Sequence, residues 1–244
     1  EFYPSNCTEP VLSSFLPNLV TYTTLQNLGI EDQLLKTRLN TNLSQGLQQL
    51  LTLQNADGGW GWCKKGESDT YISSYVLYGL AISQQAGISL PQDVISNTIG
   101  YVSSSMIPPQ STTDAWMLDR LAFENYALKT AGAGNPTSTN QLYQVRDQLS
   151  PWAKAMLALS LDPASSSSDA IPTLISDLQS TAVRSATGVH WEVETPDWRN
   201  MTSTLSNSAI VLYTLAQLEP ASTLIPDAVN YLMSNRQANG CWSS

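Results

Sequence analysis

The sequence predicts an all-α fold assembled from repeated helical hairpins. Three observations carry that prediction. Apolar residues recur at three- and four-residue steps along almost the whole chain, no stretch alternates convincingly with the period of a strand, and one sequence unit occurs twice. A first apolar helix follows the loop "YPSNCTEP". In "LLKTRLNTNLSQGLQQLLTLQ", leucines at 35, 39, 43, 47, 50, 51 and 53 give the second its apolar face. "YISSYVLYGLAISQQAG" reads as a third, stopped by Gly87 just past its end. "SLPQDVISNTIGYVSSSM" comes next, with Ser89 expected as N-cap and Pro91 early in the first turn. Five more helical stretches complete the order: "TTDAWMLDRLAFENYALKTAG", "NQLYQVRDQLSPWAKAMLALSL", "AIPTLISDLQSTAVRSA", "TSTLSNSAIVLYTLAQL" and "TLIPDAVNYLMSNRQ".

The breaks between them are short and rich in Gly, Pro, Asp and Ser. The loosest are 132–139 and 163–169, and 187–203 is expected to be a longer irregular loop. No linker divides the chain, so residues 1–244 are read as one domain. The start reads as the middle of a motif and the end "GCWSS" as an interruption, which predicts a segment of a longer protein.

The repeat pairs "VLYGLA" at 76–81 with "VLYTLA" at 211–216, each followed by a short break and a second helix. "QNADGGW" is echoed by "RQANGCW". One unit is therefore an outer helix, a glycine turn bearing an aromatic, an inner helix and a return. Stacked units of roughly 40–50 residues give a solenoid or a closed ring of hairpins.

Composition removes several functions. Acidic residues number 20 against 11 basic, a formal charge of −9, and "CKKG" holds the lone basic doublet, so no nucleic-acid surface is expected. No apolar run reaches membrane-span length, and the first residues carry no basic n-region or apolar h-region. Three cysteines, Cys7, Cys63 and Cys241, permit one disulfide and one leftover thiol. Sequons stand at Asn6, Asn42 and Asn200.

The chain offers little to catalysis. A Ser-His-Asp triad needs a histidine, and the single one, His190 in "GVHWEVE", reads as a packing or capping residue beside Trp191. There is no GxSxG elbow, no phosphate-binding glycine loop and no CxxC, so neither a cofactor nor a metal is expected. A glycosidase on a helical ring would need two carboxylates across a cleft. Asp114, Asp119 and Glu124 on one helix, or Glu192 and Glu194 in the loop, are the candidates, although helical acids usually form a solvated face. "QNADGGWGW" also resembles the turns of triterpene cyclases, whose aspartate-rich protonation motif is missing here, and one histidine argues against a prenyltransferase zinc site. In "GGWGWC", Gly58, Gly59 and Gly61 supply turn backbone, while Trp60 and Trp62 are expected to close one end of the helical array.

Read in order, "YPSNCTEPVLSSFLPNL", "LQNADGGWGW", "SDTYISSYVLYGLAISQQAGISLP", "VHWE" and "LMSNRQANGCWSS" resemble the thioester-containing domain of bacterial alpha-2-macroglobulins, a domain shared with complement components. The resemblance covers nearly the whole chain. It implies an α/α toroid of about six hairpins, the last apparently incomplete. It also implies a non-enzymatic role inside a secreted or periplasmic endopeptidase inhibitor that traps proteases, with the other domains of that protein as partners. In such domains a Cys-x-Glu-Gln loop closes an internal thioester between cysteine and glutamine, which captures a nucleophile of the attacking protease. Here Cys7 matches the cysteine and Glu9 the glutamate, while Pro10 stands where glutamine is expected. Proline has no side-chain carbonyl, so the resemblance implies a lost thioester and no covalent capture.

Family geometry further implies that the loop after "DGGWG", with Trp60 and Trp62, and the "VHWE" loop, with His190 and Trp191, shield or plug the site. A disulfide from Cys7 to Cys63 would then staple the same two loops, closing a ring worth roughly 3–4 kcal/mol and calling for Cα atoms about 4.4–6.8 Å apart. Cys63–Cys241 and three free thiols remain the rivals. A toroid enzyme acting on isoprenoid or glycan and a helical interaction scaffold remain the rival functions.

Overall fold

The computed structural model describes residues 6–193 and 199–242. Among these residues the fold is helical: ten α-helices, two single 3₁₀ turns and one minimal β-hairpin. The chain groups into two compact units, Glu1–Met106 with Ala127–Ala133, and Ile107–Tyr126 with Gly134–Ser244.

Unit 1 holds α1 (Thr8–Asn27), α2 (Gln33–Leu53), α3 (Thr70–Gln85) and α4 (Gln92–Ser105). Asp32 caps α2 by accepting from the Leu35 N–H at 2.9 Å, and Asp69 caps α3 through Ile72 at 3.0 Å. The leucine periodicity of α2 translates directly into burial of Leu39, Leu43, Leu50 and Leu53. Helix α1 packs on α2 and α3, with Val11, Leu12, Phe15 and Leu19 fully enclosed. Close approach of α1 and α2 depends on Gly46, where a Cβ would lie 2.9 Å from Phe15 Cδ2. Gly87 sits one residue past the C-cap of α3 with φ +81°, the expected left-handed terminator. Helix α4 starts differently from expectation: Pro91, not Ser89, is its N-cap, because the ring's fixed φ of −61° with ψ 127° already leads into the first turn.

The second unit contains most of α5 (Ala115–Thr130), then α6 (Pro136–Gln144), α7 (Pro151–Ser160), α8 (Ala170–Ser180), the hairpin, α9 (Thr204–Leu218) and α10 (Leu224–Ser234). The single helix expected across 140–161 is two, α6 and α7, separated by a 3₁₀ turn at Arg146–Gln148. Pro151 forces the division, since it has no N–H for a continuing helix and is well placed at the first position of a new one. The helical stretch expected over 170–186 stops at Ser180, and its end forms β1 (Val183–Ser185), which pairs Val183 to His190 with β2 (Gly188–His190) at the start of the loop expected over 187–203. The core of this unit joins Leu178, Val189, Trp191, Val211, Leu215 and Ala228.

Candidate functional site

Cys7 is the extended residue that precedes α1 (φ −117°, ψ 141°). Thr8 N–H donates to Trp62 O at 2.8 Å and Lys64 N–H donates to Asn6 O at 2.6 Å. These two bonds flank Cys7 and Cys63 and make them a non-hydrogen-bonded antiparallel pair, the site at which opposed side chains come closest. The two sulfurs are joined in a disulfide that spans 56 residues of sequence. Its Cα atoms are 3.7 Å apart, closer than the separation expected from sequence. The buried Thr8 hydroxyl adds a third tie, donating to Gly61 O at 2.6 Å. Cys241 is exposed and free.

Glu9 and Pro10 occupy the next positions of the first turn of α1. The Glu9 carboxylate lies at the positive end of the helix and accepts from the Ser13 hydroxyl. Pro10 is exposed and removes an N–H that a first helical turn leaves unpaired in any case. The position therefore tolerates proline without loss of helix.

The turn that presents Cys63 is built on Trp60. Its ring is fully enclosed and its indole N–H donates to Leu50 O at 2.8 Å, near the end of α2. Its backbone N–H donates to Ser73 Oγ, also at 2.8 Å, in the first turn of α3. Gly58 is required here: φ is +89°, and a Cβ would lie 2.6 Å from Asn97 O. Trp62 does not share this burial and is 41% exposed.

Trp191, in unit 2, is held by the same contacts. Its indole N–H donates to Leu178 O at 2.6 Å, near the end of α8, and its backbone N–H donates to Ser208 Oγ at 3.0 Å, early in α9. Trp242 repeats the first of these, its indole meeting Leu232 O of α10 at 2.6 Å. Buried Asn207 donates to the carbonyls of Trp191 (3.0 Å) and Glu192 (3.2 Å). His190 stacks on Tyr231 with ring centres 4.4 Å apart, and its Nε2 is 3.5 Å from Glu192 Oε1. Burial, with the Glu192 charge second, raises the Tyr231 hydroxyl above its usual range, and burial with Glu9 does the same to Tyr75.

Reading the sequence alone missed Ser73, Ser208 and Asn207. The signal was there for the serines: the register that aligns "VLYGLA" with "VLYTLA" also aligns Ser73 with Ser208.

Of the carboxylates weighed for hydrolysis, Asp119 is buried and accepts from the Ser150 N–H at 2.9 Å, Glu124 is buried, and Asp114 is exposed just before α5. Glu192 extends into solvent, and Glu194 lies outside the described residues. Asn200 of the third sequon is buried, its amide spent on Trp116 O at 2.8 Å, so that sequon is closed in the folded chain. Among the described residues no cluster of three His, Cys, Asp or Glu suits a metal, and no helix is long and apolar enough to cross a membrane.

Comparison with known proteins fits this arrangement. Residues 2–113 match the family model of the A-macroglobulin TED domain. An alpha-2-macroglobulin of Thermotoga maritima is 34% identical over 100 residues, 41% of this chain and 6% of that protein. One from Escherichia coli is 34% identical over 97 residues, again 6% of its length. The matched region is thus a small fraction of either relative. Native Escherichia coli alpha-2-macroglobulin, spanning domain MG7 to the C-terminus, superposes on 99% of this chain with a TM-score of 0.69 and 19% identity, using 38% of its own length. Salmonella alpha-2-macroglobulin reacted with methylamine gives 0.71 and 20% over the same share, from 16% of its length. The N-terminal region, residues 2–113, thus resembles the A-macroglobulin TED domain, and the chain as a whole shares the helical fold of part of the bacterial alpha-2-macroglobulins.

Proposed function

We propose that the chain is a non-enzymatic part of a protease-trapping protein in which a disulfide has taken the place of the internal thioester. The whole protein acts outside the cytoplasm, in the periplasm, at the cell envelope or beyond. Its target proteases meet the trap as a whole, and the partners of this chain are the other domains of the same protein. Trapping then proceeds by conformational change alone. A thioester needs a free thiol and an acyl carbon within reach of it. The Cys7 sulfur is spent on Cys63, and Pro10 offers no acyl group. That pairing is the observation that supports the reading. Glu9 does not replace the glutamine, because the Cys7 sulfur that its carboxyl would have to acylate is bonded to Cys63.

The test uses the full-length protein exposed to trypsin. The expected result is trypsin retained in the native complex on gel filtration, released entirely by denaturant, with methylamine liberating no thiol. A trypsin conjugate that survives denaturant, or a thiol released by methylamine, overturns the loss of covalent capture. Trypsin left fully free of the complex overturns the trap itself. The 244-residue chain alone is expected to leave trypsin activity unchanged.

A further inference from the structure

We propose that a cavity of about 670 Å³ in unit 2 is a binding site for a positively charged side chain or amine, an alkylammonium or guanidinium group. Every lining residue belongs to that unit. The cavity lies where the starts of α7 and α9 meet the segment leaving β2, and its size falls within the roughly 300–1,000 Å³ of ligand sites.

Charge decides the ligand class. Asp119, Asp147 and Glu192 line the cavity against one cation, Lys154, whose ammonium is already 3.5 Å from Asp177, outside the lining. Of the two helix starts, which would otherwise attract an anion, that of α9 is capped and that of α7 already faces the Asp119 carboxylate. Ser150 N–H is held by Asp119, and α9 carries a reciprocal Ser203–Ser206 capping box.

An independent observation comes from the polar atoms. Three lining residues, Ser150, Thr202 and Asn207, each hold a buried side-chain oxygen with no hydrogen-bond partner among the described residues. Asn207 is fully enclosed, and its amide nitrogen is committed to the carbonyls of Trp191 and Glu192. Its Oδ1 is consequently the atom left without a donor, since turning the amide over would set oxygen against two carbonyls. Buried acceptors of this kind call for a donor. Ammonium and guanidinium groups are donors only, carry the complementary charge, and bring an alkyl stem suited to the apolar wall of Leu149, Trp152 and Val193.

The experiment titrates the 244-residue chain with a lysine-centred pentapeptide, its arginine counterpart and free cadaverine, with norleucine and glutamate pentapeptides as controls. Binding is read from the Asn207 side-chain amide and the Trp152 indole by two-dimensional NMR. Saturable shifts of both signals with the cationic probes are expected, with none from the controls. Asp147→Asn with Glu192→Gln, both changes on solvent-facing groups, weakens binding by about two- to tenfold while the remaining spectrum is preserved. Tighter binding of the peptides identifies a protein side chain as the occupant, and tighter binding of cadaverine a free amine. Either supports a cation site. Absence of saturable shifts, equal response to norleucine or glutamate, or an unchanged affinity in the double variant overturns it.

Discussion

Trp60 in unit 1 and Trp191 in unit 2 turn the chain by the same means. Each donates its indole N–H to a carbonyl near the end of the helix before it, Leu50 or Leu178. Each donates its backbone N–H to a serine near the start of the helix after it, Ser73 or Ser208. The residues just after the two tryptophans differ. Past Trp60 come glycine, a backbone bridge to the extended residue before α1, and the Cys7–Cys63 disulfide, so the corner is tied to a second helix by covalent and backbone bonds. Past Trp191 come Glu192 and Val193, which line an open cavity together with Asn207. The device that fixes the helix-to-helix turn is thus separate from whatever chemistry the next few residues carry. One corner is closed by a bond, and the other keeps room for a ligand.

The comparison is first broken or kept by Trp60→Ala and Trp191→Ala. Both rings are fully buried, so each change is expected to cost about 3–5 kcal/mol in urea unfolding. Ser73→Ala and Ser208→Ala leave a buried tryptophan N–H without its acceptor, and each costs a smaller, roughly 1–3 kcal/mol. Similar costs at the two corners keep the equivalence. A large loss at Trp60 or Ser73 with almost none at its counterpart breaks it, and would mean that Trp191 is held chiefly by its apolar neighbours.

The smallest expected effect is on alkaline stability. Tyr75 beside Glu9 and Tyr231 beside Glu192 both keep their proton above the ordinary value of 10.0, first through burial and then through the neighbouring carboxylate. The unfolded chain loses these protons first, so the folded state binds more protons there and stability falls as pH rises past about 10. Tyr75→Phe and Tyr231→Phe should each flatten that fall in a stability profile from about pH 8 to 11, by a fraction of the total loss. A profile as steep as the parent's in both variants would assign the loss to other groups.

Much of this was readable from the residues. The leucine steps of α2 became its buried face, and Gly87 ended α3, because periodicity and a left-handed terminator act within a few residues. The β-hairpin was not readable: its strands have three residues each, too few for an alternating pattern, and their pairing is settled by packing of β2 on α10 and α9. The division at Pro151 has a local signal, but the apolar pattern running through it is continuous and hides the break. Asn207 had no local signature at all, since its two acceptors lie sixteen and fifteen residues away.

The central claim concerns Cys7, and intact mass with a count of thiols tests it most directly. The unreduced chain should weigh less than its sequence by two hydrogens, about 2 Da, and should show in denaturant one free thiol, Cys241, rising on reduction to all three cysteines. Peptide mapping should join the fragments holding Cys7 and Cys63. A mass lower by one ammonia would mean an internal acyl bond and would contradict the account, as would three free thiols at the full sequence mass.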